Sequence, residues 1–191
     1  MLDSKDILMR NLEDSLSHAL AYLCGIVGDD SNREGLQGTP KRIAQMWVEL
    51  LSHTRPNCTR FKNPGYDELI VEAGIPFVSV CEHHLMPFIG KAAIGYLPEV
   101  EGYVLGLSKL GRVLDYYARR LQLQERLTKQ VAEFLQTELQ PKGVGVVIAA
   151  EHFCMSVRGV KKPGAITYTS HLTGAFRDPS VKDEFLRLAY S

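Results

Sequence analysis

Residues 81–86, Cys-Glu-His-His-Leu-Met, set one cysteine and two histidines within four positions. Thiolate and imidazole suit zinc, which takes sulfur and nitrogen in tetrahedral array, and a Cys-x-x-His step across a tight turn brings Cys81 and His84 near enough to share one ion. The pair alone is weak, because a buried cysteine followed by a surface histidine has the same spelling. A second group strengthens it. Ala-Ala-Glu-His-Phe-Cys-Met-Ser-Val-Arg-Gly, residues 149–159, carries His152 and Cys154 two apart, hence on one side of an extended strand. Cys81, His84 and Cys154 then offer two sulfurs and one nitrogen to a zinc ion (Zn2+) and leave its fourth position free. Three protein ligands and an open position are the donor count of a catalytic zinc, whose water becomes a nucleophile near neutral pH. A structural site would take a fourth protein ligand. His171, Cys24 and Cys58 are conceivable ones, although a helical stripe explains Cys24 and Cys58 has no ligand-spaced neighbour.

Two histidines remain. Beside proposed ligands, His83 and His152 are suited to general acid and base work near pH 7. Equally, His83 is crowded next to His84, and His152 is satisfied within the sheet. A positive group follows Gly106-Leu107-Ser108: Lys109 and Arg112 stand one turn apart at a helix start, where free backbone N–H groups add to an anion site. Arg158 lies four beyond Cys154 and near Lys161 and Lys162, which read as solvated surface lysines. Gln124 and Glu125 open another helix. A carboxylate there can accept two N–H donors from a guanine edge, although spacing alone favours a plain preference for the helix N-terminus.

These residues need elements to hold them. Residues 4–27 repeat apolar positions at Ile7, Leu8, Leu12, Leu16, Leu20, Leu23 and Val27, one stripe of a helix ended by Gly28. Thr39 is the expected cap of a second helix, with Pro40 in its first turn. Residues 53–68 read as a loop. The stretches before Cys81 and after Met86 are strand-like, as are Val-Gly-Val-Val-Ile-Ala-Ala and Ala-Ile-Thr-Tyr-Thr-Ser. Between them, residues 107–139 carry two helical stripes broken near Leu121. Strands, two helices and strands again predict an α+β domain with helices on one face of an antiparallel sheet.

The 191 residues hold 22 basic and 22 acidic side chains, a balance that gives no reason to expect nucleic acid or an anionic membrane as partner. No stretch approaches the ~18 apolar residues of a membrane span. The N-terminus lacks the uninterrupted apolar run of a secretory signal, and four sparse cysteines are no disulfide scaffold. The expected compartment is the cytoplasm.

Taken together, the stretches EGLQGTPKRIAQMW, CEHHLMPFIGK, GYLP, GLSKLGR, QLQERLTKQ, EHFCMSVRGVKKPGAITYTS and EFLR occur in an order that resembles the GTP cyclohydrolase I family from about residue 34 onward. The resemblance implies a tunnelling fold, with an antiparallel sheet and two helices on one side in a catalytic domain of residues 53–191, behind an N-terminal helical arm of residues 1–52. It implies a homodecamer with active sites at subunit interfaces. It also implies conversion of GTP and water to 7,8-dihydroneopterin 3'-triphosphate and formate, in pterin and tetrahydrofolate biosynthesis. By residue, it implies Cys81, His84 and Cys154 as zinc ligands and His83 and His152 as catalytic histidines. Glu125 with Gln124 would anchor the guanine. Lys109, Arg112, Arg158 and Arg42 would contact phosphates, with Ser108 at a ribose or phosphate contact. Gln45 stands where the family commonly has lysine, which removes one cation from the triphosphate side. A deazapurine nitrile reductase of the same fold would need a cysteine nucleophile in place of zinc. A non-catalytic zinc-stabilised domain would enclose its ion fully.

Overall fold

The structure, a computed structural model, describes residues 3–190, which form two compact units, one ending at Ser52 and the other starting at His53. The first unit holds helix α1 (Ser4–Val27), a short 3-10 turn (Glu34–Leu36) and helix α2 (Thr39–Leu51). Helix α1 ends where its apolar spacing does: Gly28 takes the left-handed conformation (φ 75°) and returns its N–H to the Cys24 carbonyl. Cys24 is buried, as expected of a packing residue. Helix α2 differs from expectation at its start. Gly38 occupies the cap position, and Thr39 is the first helical residue, its hydroxyl accepting from Arg42 at 2.7 Å.

The second unit is built on a five-stranded sheet in the order β5-β2-β3-β6-β7. Strands β2 (Ile70–Cys81), β3 (Pro87–Leu97), β6 (Gly143–His152) and β7 (Ile166–Leu172) pair with one another antiparallel in that order. The two-residue β5 (Leu121–Gln122) pairs in parallel with the end of β2. It occupies the break between helices α3 (Ser108–Ala118) and α4 (Gln124–Leu139). Alternate residues of the sheet sort onto two faces. Phe77, Phe88, Ile94, Tyr96, Val146 and Ile148 meet Leu110, Leu114, Leu127 and Leu135 of α3 and α4 in the main core. This is the α+β arrangement expected, with two helices on one face of the sheet.

Among the elements not anticipated are β1 (Arg60–Lys62), which lies within the stretch 53–68 read as a loop, β4 (Tyr103–Leu105) and α6 (Pro179–Ala189). Strands β1 and β4 form a separate small ladder, in stretches too short for a periodic pattern. On the opposite face of the sheet, Ala93 and Val147 are covered by Phe176 and by Phe185 of helix α6. Gly95 and Gly145 pair across β3 and β6 and make room for those two rings. A methyl at Gly145 would stand 2.3 Å from the Phe176 ring. Because Phe185 is fully buried, Phe185→Ala is expected to destabilise the chain by about 3–5 kcal/mol, read as a lower urea midpoint. Asp178 caps α6 by accepting from Ser180 N at 2.9 Å. Among the described residues, no helix is long and apolar enough to cross a membrane.

Candidate metal centre and active site

The β2–β3 connection delivers the first donors. Cys81 closes β2, buried, with its N–H on the Met86 carbonyl at 2.8 Å, while Leu85 N–H returns to the Cys81 carbonyl at 2.9 Å. Leu85 takes a left-handed conformation (φ 53°), so the turn is tight and presents His83 and His84 outward, both exposed. Glu82 fastens this turn to β5 and α4. Its N–H donates to the Gln122 carbonyl at 3.1 Å, and its carboxylate receives Arg126 twice, at 2.7 and 3.1 Å. That bidentate guanidinium holds the Glu82 carboxyl below its ordinary pKa.

Strand register brings the second cluster to the same place. Val80 pairs with Pro87 and Phe88 with His152, so the ends of β2 and β6 lie on either side of the start of β3. Strand β6 stops at His152, and Cys154 belongs to a single helical turn, α5 (Phe153–Ser156). The strand alternation expected to align His152 with Cys154 therefore does not apply. The helical turn swings the thiol over instead, and one donor atom each from Cys81, His84 and Cys154 lie within 4.8 Å of one another. Tetrahedral bonds of about 2.0–2.3 Å to one ion set donors roughly 3.3–3.8 Å apart, so binding draws the set together by about 1 Å. The chemistry of the set also suits a cation. Burial first, and then the neighbouring Cys81 sulfur, push the Cys154 thiol above its ordinary pKa, and a divalent ion would reverse that opposition to ionisation. His171 lies on β7 opposite Val146 and is not in the cluster, and Cys58 packs half-buried on the main core.

His152 is held on two sides. Its ring stacks on Phe88 with centroids 4.6 Å apart and planes 6° apart. Its Nε2 lies 2.7 Å from Gln124 Oε1. Gln124 is 1% exposed, and its amide nitrogen donates to Ile148 O at 3.2 Å, Thr167 O at 2.9 Å and Thr169 Oγ1 at 3.1 Å. With two backbone carbonyls fixing the amide nitrogen, the amide oxygen must face His152, so Nε2 carries the proton. Burial depresses the His152 pKa, and the Glu125 carboxylate opposes that shift.

A cavity of about 400 Å³ opens over these groups, lined by Cys81, His83, His84, Gln124, Glu125, His152, Cys154 and Arg158, with Leu123, Met155 and Val160 as apolar wall. Arg158 Nη1 is 3.2 Å from His84 Nε2. The remaining expected substrate residues are not among those that line this cavity. Ser108, Lys109 and Arg112 lie in the first turns of α3, outside the cavity lining. Arg42 belongs to α2 in the first unit and donates to the Gly35 carbonyl at 3.1 Å. Reading the sequence missed Phe88, Arg126 and the threonines behind Gln124. Phe88 becomes visible only once the register sets it opposite His152.

Residues 16–190 match the family model described as GTP cyclohydrolase I. The chain belongs to the GTP cyclohydrolase I family. Among its relatives, GTP cyclohydrolase 1 of Sulfurihydrogenibium sp. (strain YO3AOP1) is 48% identical over 181 residues, covering 94% of this chain and 96% of that protein. GTP cyclohydrolase 1 of Aquifex aeolicus (strain VF5) is 46% identical over 178 residues, at 92% and 96% coverage. The Streptomyces avermitilis protein of the same name is 44% identical over 191 residues, at 98% and 95% coverage. Membership in the GTP cyclohydrolase I family thus spans the cavity, both metal-donor segments and every helix from α2 to α6. A solved archaeosine synthase QueF-Like structure in the apo form aligns with a TM-score of 0.43 at 18% identity, over 64% of this chain and 98% of that one. That likeness is too slight to bear on fold or function.

Proposed function

We propose that the chain converts GTP and water to 7,8-dihydroneopterin 3'-triphosphate and formate. The observation that carries this reading is the convergence of Cys81, His84 and Cys154 with His83, Glu125, His152 and Arg158 around one cavity in a member of this family. Zinc held by Cys81, His84 and Cys154 would supply Lewis acidity toward water at neutral pH.

The chain's own side chains do the rest. Glu125, exposed at the cavity wall, accepts the paired N–H donors of the guanine edge. A purine without those donors leaves the carboxylate unpaired. His152 keeps its Nε2 proton on Gln124 Oε1, so Nδ1 is the nitrogen that exchanges a proton with the purine N7. Protonation there makes C8 electrophilic. Water adds at C8, the imidazole ring opens to a formamide, and a second hydration releases formate. The ribose then opens and rearranges to a ketose, whose carbonyl condenses with the freed amine and expels one water, so that the dihydropterin ring closes with a net consumption of one water. His83 is exposed at the cavity mouth and shuttles protons to solvent. Arg158 pairs with phosphate oxygens and helps hold the purine in place.

Arg158 is the one Lys or Arg among the lining residues, which is few for a triphosphate. Lys109, Arg112, Ser108 and Arg42 would then meet the tail across an interface between copies, in a homo-oligomer read as a decamer. The product would enter pterin and tetrahydrofolate biosynthesis in the cytoplasm, with neither nucleic acid nor membrane as partner.

Incubation of the zinc-loaded protein with GTP is expected to release formate and, after oxidation, a fluorescent pterin in equal amounts. Formate without pterin, or neither, overturns the reading.

A further inference from the structure

The connection from β6 to β7, residues 153–165, supplies one wall of the cavity through Arg158, Gly159 and Val160. Its hold on that shape is not apolar. Val157 and Val160 are 58% and 63% exposed, so the loop buries little of its own surface. Three left-handed residues bend it: Gly159 (φ 63°), Lys161 (φ 50°) and Gly164 (φ 77°). Within it, Lys162 N–H donates to the Met155 carbonyl at 2.9 Å. Across its base stands Glu151, on the side of β6 opposite His152 by strand alternation. A single carboxylate oxygen of Glu151 accepts the Ser156 hydroxyl at 2.6 Å and the Gly164 N–H at 2.8 Å. Ser156 comes just before the loop leaves α5 and Gly164 just before β7 begins, so one charged oxygen joins both ends. Both bonds favour the ionised form and hold the Glu151 pKa below its ordinary value.

We propose that Glu151 is a positioning residue, whose carboxylate clasps the ends of the 156–164 loop and so fixes where Arg158 stands in the substrate cavity. The clasp acts on substrate only through that loop: Glu151 does not line the cavity. Its consequence for turnover rests on the cyclohydrolase reading, whereas its consequence for the loop does not.

The test uses the full zinc-loaded chain as Glu151→Ala and Glu151→Gln. Loss of two hydrogen bonds to a charged acceptor is expected to raise trypsin cleavage after the exposed Arg158 and Lys161 about tenfold in Glu151→Ala. The same variant should raise KM for GTP about tenfold and leave kcat within a factor of about two, with zinc content unchanged. Glu151→Gln keeps an oxygen acceptor and should recover most of both effects. Should Glu151→Ala precipitate, Ser156→Ala carries the cleavage measurement in its place, with a smaller rise expected. A cleavage rate equal to the parent's in Glu151→Ala, or in Ser156→Ala where it stands in, overturns the clasp. A fall in kcat with KM unchanged, no better in the glutamine variant, overturns the positioning role. If the parent makes no formate from GTP, the functional reading fails, while faster cleavage still supports the clasp.

Discussion

Replacing His152 with alanine is expected to lower kcat by about 10²–10⁴ while the protein keeps its zinc and its fold. The ring is not among the three donors that converge, so the metal should stay. The fold should stay because His152 ends β6, half-buried, and its loss leaves Phe88 still packed edge-on with Phe77 at 5.9 Å within the main core. What would be lost is the proposed proton carrier, a ring held by a stack and a hydrogen bond. Gln124 separates holding the ring from the ring itself. Gln124→Met keeps the volume but removes the oxygen that receives Nε2–H, and kcat should fall by about tenfold or more with KM little changed. A large rise in KM with kcat preserved would instead make Gln124 a purine contact, and the burial of its amide would need another explanation. Metal analysis and kinetics on the two variants decide this. Zinc lost from His152→Ala but kept by His84→Ala would reverse the donor assignment.

The legible parts of this chain are those where one periodicity runs long enough to be seen. Helices α1 and α4 repeat apolar residues over several turns, and β6, buried over its first six residues, reads as a continuous apolar run. Strands β1 and β4 have three residues each and exist because they pair with each other, a relation that no local pattern carries. Helix α6 was overlooked although Asp178, Pro179 and the apolar Val181, Phe185 and Leu186 mark it. Its amphipathic run is short and follows a turn-rich stretch. In the site, Cys81, His84 and Cys154 could be picked out by residue type, since few roles need that set of donors. The reason they meet was not legible. It is a helical turn after β6, not the strand alternation that spacing suggested. Gln124 shows the same limit from the other side. Beside Glu125 it reads as half of a polar pair, and only the fold shows one amide buried against β6 and β7 while its neighbour faces the cavity.

Removing the metal should abolish turnover and leave the fold standing. Loss of its Lewis acidity is expected to cost about 10³-fold or more in kcat, whether by chelation or by His84→Ala. His84 is the cleaner substitution because it is exposed, whereas Cys81 belongs to the main core and its loss would add a packing defect. The expected persistence of the fold follows from where the donors sit. They are carried by the end of β2, an exposed turn and a single turn of helix, all at one end of the sheet. Of the three donor residues only Cys81 is also a buried member of the main core, which otherwise closes over Ile94, Tyr96, Leu110, Leu135 and Val146. Even the β2–β3 turn has ties of its own, through Cys81 N–H to Met86 and Glu82 to Arg126. Zinc that drove folding would behave otherwise, since a small domain organised by its metal unfolds when stripped. Circular dichroism and thermal melting of the chelated protein separate the cases. A native spectrum with no formate production, restored by added zinc, fits an open catalytic ion. Cooperative unfolding on chelation would make the ion structural and leave the proposed hydrolysis without its Lewis acid.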